Sequence, residues 1–176
     1  ENNSEANNLS FVSKPNALYE ALMRYPIVDL APVYDKGARG RTMSGRGSNW
    51  LLAKGRDAGV KVIIDLRTHD HTDRYDRNVV EAGLEYHSLP IDSKNTDVHQ
   101  IIASLPLLFE LMDNGSFYIA CAMGRHRTDI ASSAAMILPP DSTVLSRQSL
   151  PTSLPCWGCQ LTMRQSFSDV KNNYLL

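Results

Sequence analysis

Along the chain, short apolar runs alternate with segments in which apolar residues recur every three or four positions. Val60-Lys61-Val62-Ile63-Ile64-Asp65-Leu66 is β-branched and almost continuously apolar, as expected of a strand covered on both faces of a sheet. Before it, Ser48 or Asn49 is placed to cap a helix through Trp50, Leu51 and Leu52 to Ala58, and Gly59 to end it. After it, a polar segment from His69 to Ala82 is expected to turn helical near its end, and Leu84 to Leu89 alternates like a further strand. Val98, Ile101, Ile102, Leu105, Leu108, Phe109 and Met112 recur at the three-and-four spacing that places them on one face of a helix. Pro106 removes a backbone donor and is expected to kink that helix, and Asn114-Gly115 to stop it. Phe117 to Ala120 is a short strand, and Ile130, Ala131, Ala134, Ala135 and Leu138 mark a small-residue helix ending before Pro139-Pro140.

The remainder is less patterned. Residues 1–10 are polar and Asn-rich at their start and read as a mobile arm, with order beginning near Phe11. Ile27 to Leu30 is a short apolar run predicted as a strand, and Ala31 to Ser48, with Gly37, Arg39, Gly40, Arg41 and Gly45, is predicted as a flexible basic loop. Residues 139–176 read as a Pro-rich loop followed by a helix within Leu161 to Leu175, packed on the same domain. Alternating strands and helices over 11–138 predict a single α/β domain with a mostly parallel central sheet flanked by helices. Ligands of such sheets sit at the carboxyl ends of the strands, which is where Cys121 falls.

A chain of 176 residues can build one full core, and 43% apolar with 21% charged residues is ordinary for a globular protein. The formal charge of −1 supplies no long-range field for nucleic acid or an anionic membrane, so an anionic substrate would have to be held by a local cluster. No apolar run approaches the roughly 20 residues that cross a bilayer, which leaves a soluble protein, cytoplasmic or exported after removal of a signal. Three cysteines suit a thiol that does chemistry better than a disulfide framework. Cys156-Trp157-Gly158-Cys159 has the spacing of a redox pair or half a zinc site, but no second pair completes a zinc site and no strand precedes it. No metal or cofactor is therefore expected.

The chemistry concentrates between the strand ending at Ala120 and the helix near Ile130, in Cys121-Ala122-Met123-Gly124-Arg125-His126-Arg127-Thr128. In a strand, tight loop, helix arrangement the backbone N–H groups of residues 122–127 converge on one point and the helix aims its positive end there, so an anion is bound. A cysteine at the mouth of such a nest is stabilised as thiolate, the nucleophilic form. Arg127 adds a planar fork of donors for phosphate oxygens, Gly124 lets the backbone turn close to the anion, and Thr128 is placed to hydrogen-bond the sulfur.

Cys121, Gly124, Arg127 and Thr128 resemble the cysteine, five residues, arginine, serine-or-threonine signature of the protein tyrosine and dual-specificity phosphatases. Val62-Ile63-Ile64-Asp65-Leu66-Arg67 looks like that family's central strand. Gly83 to Asp92 looks like the strand leading to its acid loop, so the resemblance covers roughly Phe11 to Leu138. It implies a phosphatase of the dual-specificity type, working through a phosphocysteine intermediate on a phosphorylated protein, an inositol phosphate or a phosphoinositide. It also implies Asp92 as the proton donor to the leaving oxygen, with Asp97 as its rival on the same loop. Asp65 is expected to order neighbouring loops instead. Arg125 and His126 occupy rim positions that, together with Arg127, would favour a second anionic group on the substrate, or are simply solvated; Arg39, Arg41, Arg46 and Arg67 either add to that charge or are solvated in the same way. The chain departs from the family's pattern at Ala120, where His is usual, and at Asp129, where Gly is common; the latter sets a carboxylate beside the anion site, where it would weaken binding. Two other readings share these residues: a phosphate-binding module with a sluggish thiol, and a sulfur transferase of the rhodanese type.

Overall fold

A computed structural model describes residues 14–44, 48–68, 74–92 and 98–137. The N-terminal arm, Arg46, Asp97 and everything after residue 137, with Cys156 and Cys159, lie outside the described residues.

The chain runs through α1 (Ala17–Leu22), β1 (Ala31–Val33), β2 (Gly37–Arg41), α2 (Ser48–Asp57), β3 (Val62–Asp65) and α3 (Tyr75–Glu81). It continues through β4 (Glu85–Ser88), α4 (Val98–Asp113), β5 (Phe117–Cys121) and α5 (His126–Ile137). The strands form one sheet in the order β1-β2-β5-β3-β4, parallel throughout except for the antiparallel β1–β2 pair. β5 lies at its centre, with Phe117 in register with both Gly37 and Val62.

Both faces are covered, which explains the unbroken apolar runs. Phe117, Ile119 and Cys121 of β5 and Val62 and Ile64 of β3 join the core beneath α4 and α5. Tyr118, Ala120 and Ile63 point the other way, into the core built with Leu18, Leu22 and Leu52 of α1 and α2. The predicted helices appear as α2 to α5, with Pro106 inside α4 and positive φ at Gly59 and Gly115 just past the ends of α2 and α4. No helix among the described residues is long and apolar enough to cross a membrane.

Two expectations fail between residues 27 and 44. The strand predicted over Ile27 to Leu30 begins instead at Ala31, because Asp29 takes a left-handed conformation (φ 55°) that interrupts extension. The predicted loop from Ala31 to Ser48 contains the β1–β2 hairpin. Its glycines misled because glycine is a poor strand former, yet Gly37 and Gly40 make room for Phe117 and Tyr118 of β5. A β-carbon on Gly37 would stand 2.0 Å from the Phe117 ring, and one on Gly40 2.5 Å from the Tyr118 hydroxyl. The Asn16 side chain caps α1 by accepting from Tyr19 N–H (2.8 Å), and its amide donates to the carbonyls of Tyr34 and Gly37 (2.8 Å each), fastening the helix to the hairpin.

Candidate active site

The carboxyl ends of β2, β5, β3 and β4 meet at one edge of the sheet, and Cys121 closes β5 there. Its backbone is fixed from both sides. Thr42 N–H donates to the Cys121 carbonyl (3.0 Å), and Leu66 N–H to that of Ala120 (2.8 Å). From Cys121 the chain makes a tight loop and enters α5 at His126, so the 12-residue helix presents its free N–H groups and positive end to that loop.

Gly124 is the turning point. Its φ of 75° is left-handed, and a β-carbon would stand 2.2 Å from the Arg41 nitrogen and 2.5 Å from the Gly40 carbonyl carbon. The loop thus rests directly on the backbone of β2. Seated there, Gly124 N–H donates to Cys121 Sγ at 3.2 Å, and Thr128 Oγ1 lies 3.8 Å from the same sulfur. Cys121 and Thr128 are buried, Ala122 and His126 half-buried, and Met123 is 49% exposed on the outside of the turn.

Arg127 is 7% exposed, and its Nη1 donates to the carbonyls of Leu66 and Ile91 (3.3 Å each), the residues that follow β3 and β4. The guanidinium is therefore held over the same sheet edge that carries the sulfur. Asp92, half-buried, immediately follows one of the carbonyls that position Arg127. Asp65 binds inward: its carboxylate receives Arg67 Nε (3.0 Å) and Nη2 (2.8 Å), the Arg67 backbone N–H (3.0 Å) and the Tyr86 hydroxyl (3.1 Å). The Arg67 guanidinium also lies 4.7 Å over the Tyr75 ring, so this pair shapes the turn after β3 from which the Leu66 carbonyl reaches Arg127. Burial, followed by the Asp65 charge, pushes the Tyr86 hydroxyl well above its ordinary range, so it acts only as a neutral donor.

The arginines outside the loop divide. Arg41 is exposed. Arg39, expected either to add charge to the site or to be solvated, is 14% exposed and pairs through Nη2 with Asp129 Oδ1, while its Nη1 donates to the Gly124 carbonyl at 3.2 Å. Arg125 is taken up in a similar way, by Asp29 at 2.6 Å. Asp129, in the first turn of α5 and 5% exposed, is thus not the bare carboxylate that its sequence position suggests. Burial pushes its carboxyl up to about 6, the Arg39 guanidinium pulls it back, and the nearby Asp29 adds to the rise. The pairing of Arg39 is not visible in the sequence, because nothing near it in the chain announces a partner 85 residues away.

No protein-family model matches the chain, and no curated protein matches it. Solved structures do. A candidate phosphatase (DUF442) from Shewanella putrefaciens CN-32 is 18% identical, with 88% of this chain and 97% of that one covered and a TM-score of 0.61. The core catalytic domain of the PP-IP phosphatase SIW14 from S. cerevisiae, in complex with citrate, is 16% identical, covers 86% of this chain and 97% of its own, and gives 0.53. Tk-PTP is 15% identical over 82% of this chain and 95% of its own, also with 0.53. The chain has the fold these proteins share, that of the protein tyrosine phosphatase-like proteins.

Proposed function

We propose that the chain is a cysteine-dependent phosphatase that hydrolyses phosphate monoesters at the 121–127 loop. The observation that carries this reading is the convergence on one sulfur of a loop N–H and a threonine hydroxyl, beside a buried arginine anchored over the same strand ends. The fold shared with proteins named as phosphatases supports it.

In the proposed reaction the Cys121 thiolate attacks phosphorus in line with the leaving oxygen. The S–P bond forms as the P–O bond breaks, and the loop amides with the Arg127 fork hold the equatorial oxygens. Asp92 gives its proton to the departing oxygen. It then accepts one from the water that attacks the phosphocysteine, and the thiolate leaves, eased by the Thr128 hydroxyl. Atoms balance at each step, and the enzyme returns to its starting state. The backbone amides from Ala122 to Arg127 line the cradle, and the side chains of Arg125 and His126 stand at its rim. Arg125, already paired with Asp29, adds less to capture of a second anionic group than its position suggests. Phosphorylated proteins and inositol phosphates both remain substrate classes for assay, the latter prompted by the PP-IP phosphatase SIW14.

Cys121→Ser is expected to abolish turnover of an aryl phosphate while the far-ultraviolet spectrum stays that of the parent; undiminished turnover would refute the reading. Asp92→Asn is expected to slow substrates with poor leaving groups more than those with good ones. Equal slowing would remove Asp92 from the role of acid.

A further inference from the structure

Arg39 touches two parts of the site at once. Nη1 holds the carbonyl of Gly124 at the turning point of the loop, and Nη2 holds Asp129 at the start of α5. A trans peptide plane sets its C=O and N–H on opposite sides. With the Gly124 carbonyl drawn toward β2 by Arg39, the N–H of Arg125 is turned away from β2. The preceding peptide is fixed differently, its Gly124 N–H pointing at the Cys121 sulfur. One guanidinium thereby sets the orientation of a loop amide next to the one that meets the nucleophile.

The second contact concerns charge. A carboxylate in the first turn of α5 stabilises the helix but opposes any anion bound at the same end. Asp129 is faced by Arg39 from β2 and by Asp29 from the turn before β1, and Asp29 is itself engaged by Arg125 of the loop. Arg39 thus meets Asp129 directly with a positive charge.

We propose that Arg39 is a positioning residue for phosphoryl transfer: it cancels the Asp129 charge and fixes the Gly124–Arg125 peptide, keeping the 121–127 loop receptive to a dianion. The proposal rests on the reading of that loop as a phosphate site.

The test is tungstate binding by calorimetry to the full chain, with kcat and KM on p-nitrophenyl phosphate alongside, at pH 5.5 and 7.5. The variants are Arg39→Gln, Arg39→Lys, Asp129→Asn and Arg39→Gln/Asp129→Asn. Glutamine keeps a donor for the Gly124 carbonyl and removes only the charge, so Arg39→Gln is expected to weaken tungstate at pH 7.5 by roughly tenfold, as for one uncompensated unit charge near a partly screened anion. The loss should shrink at pH 5.5, where Asp129 takes up a proton, and most of it should vanish in the double variant. Arg39→Lys keeps the charge but not the fork, so tungstate affinity should be retained while kcat falls. Tungstate affinity in Arg39→Gln within about twofold of the parent overturns the proposal. A loss equal at both pH values and unrelieved by Asp129→Asn does so too, since packing alone would behave that way. If Arg39→Gln fails to fold, the double variant, which leaves no bare carboxylate, carries the comparison with the parent: near-parental affinity supports the proposal and a tenfold loss defeats it. A parent protein that binds no tungstate defeats both this proposal and the phosphate-site reading. Cys121→Ser that retains turnover defeats only the catalytic reading, because tungstate capture does not require the thiol to attack.

Discussion

The central strand β5 has a neighbour on each side, and the two are built from opposite materials. β3 is Val62-Ile63-Ile64-Asp65, buried at every position by its own side chains. β2 is Gly37-Ala38-Arg39-Gly40-Arg41, buried at Gly37, Ala38 and Gly40, where the two glycines recede so that Phe117 and Tyr118 of β5 can fill the space. Both strands end at the site, and they serve it differently. The β3 side supplies a carbonyl that aims Arg127, whereas the β2 side supplies a bare backbone on which Gly124 can sit and an arginine that answers Asp129. A strand can thus be specified by what its neighbour inserts, and an apolar pattern reports only strands that do their own filling.

The contrast can be broken most severely where the loop meets β2. Gly124→Ala places a methyl group inside contact distance of the Arg41 amide at a left-handed φ, so the loop cannot keep its seat. Loss of the aligned amide is expected to cost turnover on the order of a hundredfold or more, read as kcat/KM on an aryl phosphate. Activity within a few-fold of the parent would show that the seat is unimportant.

The strands themselves give the next test. Gly37→Ala drives a methyl group into the Phe117 ring and is expected to destabilise the fold by about 3 kcal/mol in urea unfolding, an overpacking cost. Ile63→Val, which removes one methyl from the opposite neighbour of β5, is expected to cost only about 1 kcal/mol. Equal costs would erase the distinction between a strand that fills and a strand that yields.

A smaller effect is a pH dependence. Asp129 titrates in the folded chain near 6, above its ordinary 3.8, so the folded state binds its proton more tightly than the unfolded one. The stabilising contribution is full below about pH 4 and is lost as pH rises through about 6. Unfolding of the parent and Asp129→Asn across that window should show the parent losing on the order of 2 kcal/mol relative to the variant. A difference that stays flat with pH would mean that the Arg39 contact balances burial, and one that moves in the parent's favour as pH rises that it outweighs burial.

The sequence exposed α2 to α5 and β3 to β5 because their apolar residues follow the periods that helices and doubly covered strands impose. It also exposed the loop from Cys121 to Thr128, whose residue types and spacing are local in the chain. The hairpin stayed hidden because Gly37 and Gly40 owe their place to rings that lie far along the chain. Asp129 was legible as an intrusive carboxylate, yet its partner was not, since the pairing exists only once β2 lies beside β5. Arg125 shows the same limit: its tie to Asp29 spans 96 residues.

The parallel pairing of β2 with β5 carries a consequence for how the chain acquires its shape on the ribosome. The hairpin emerges early, but the strand that supplies its rings and its inner row of hydrogen bonds is among the last described elements to be made. Until then β2 offers an unmated edge with little apolar cover of its own, which discourages premature sticking to other nascent segments. The 121–127 loop can take its shape only once residues 117–137 have been made, when docking of β5 and α5 completes the described sheet and the loop together.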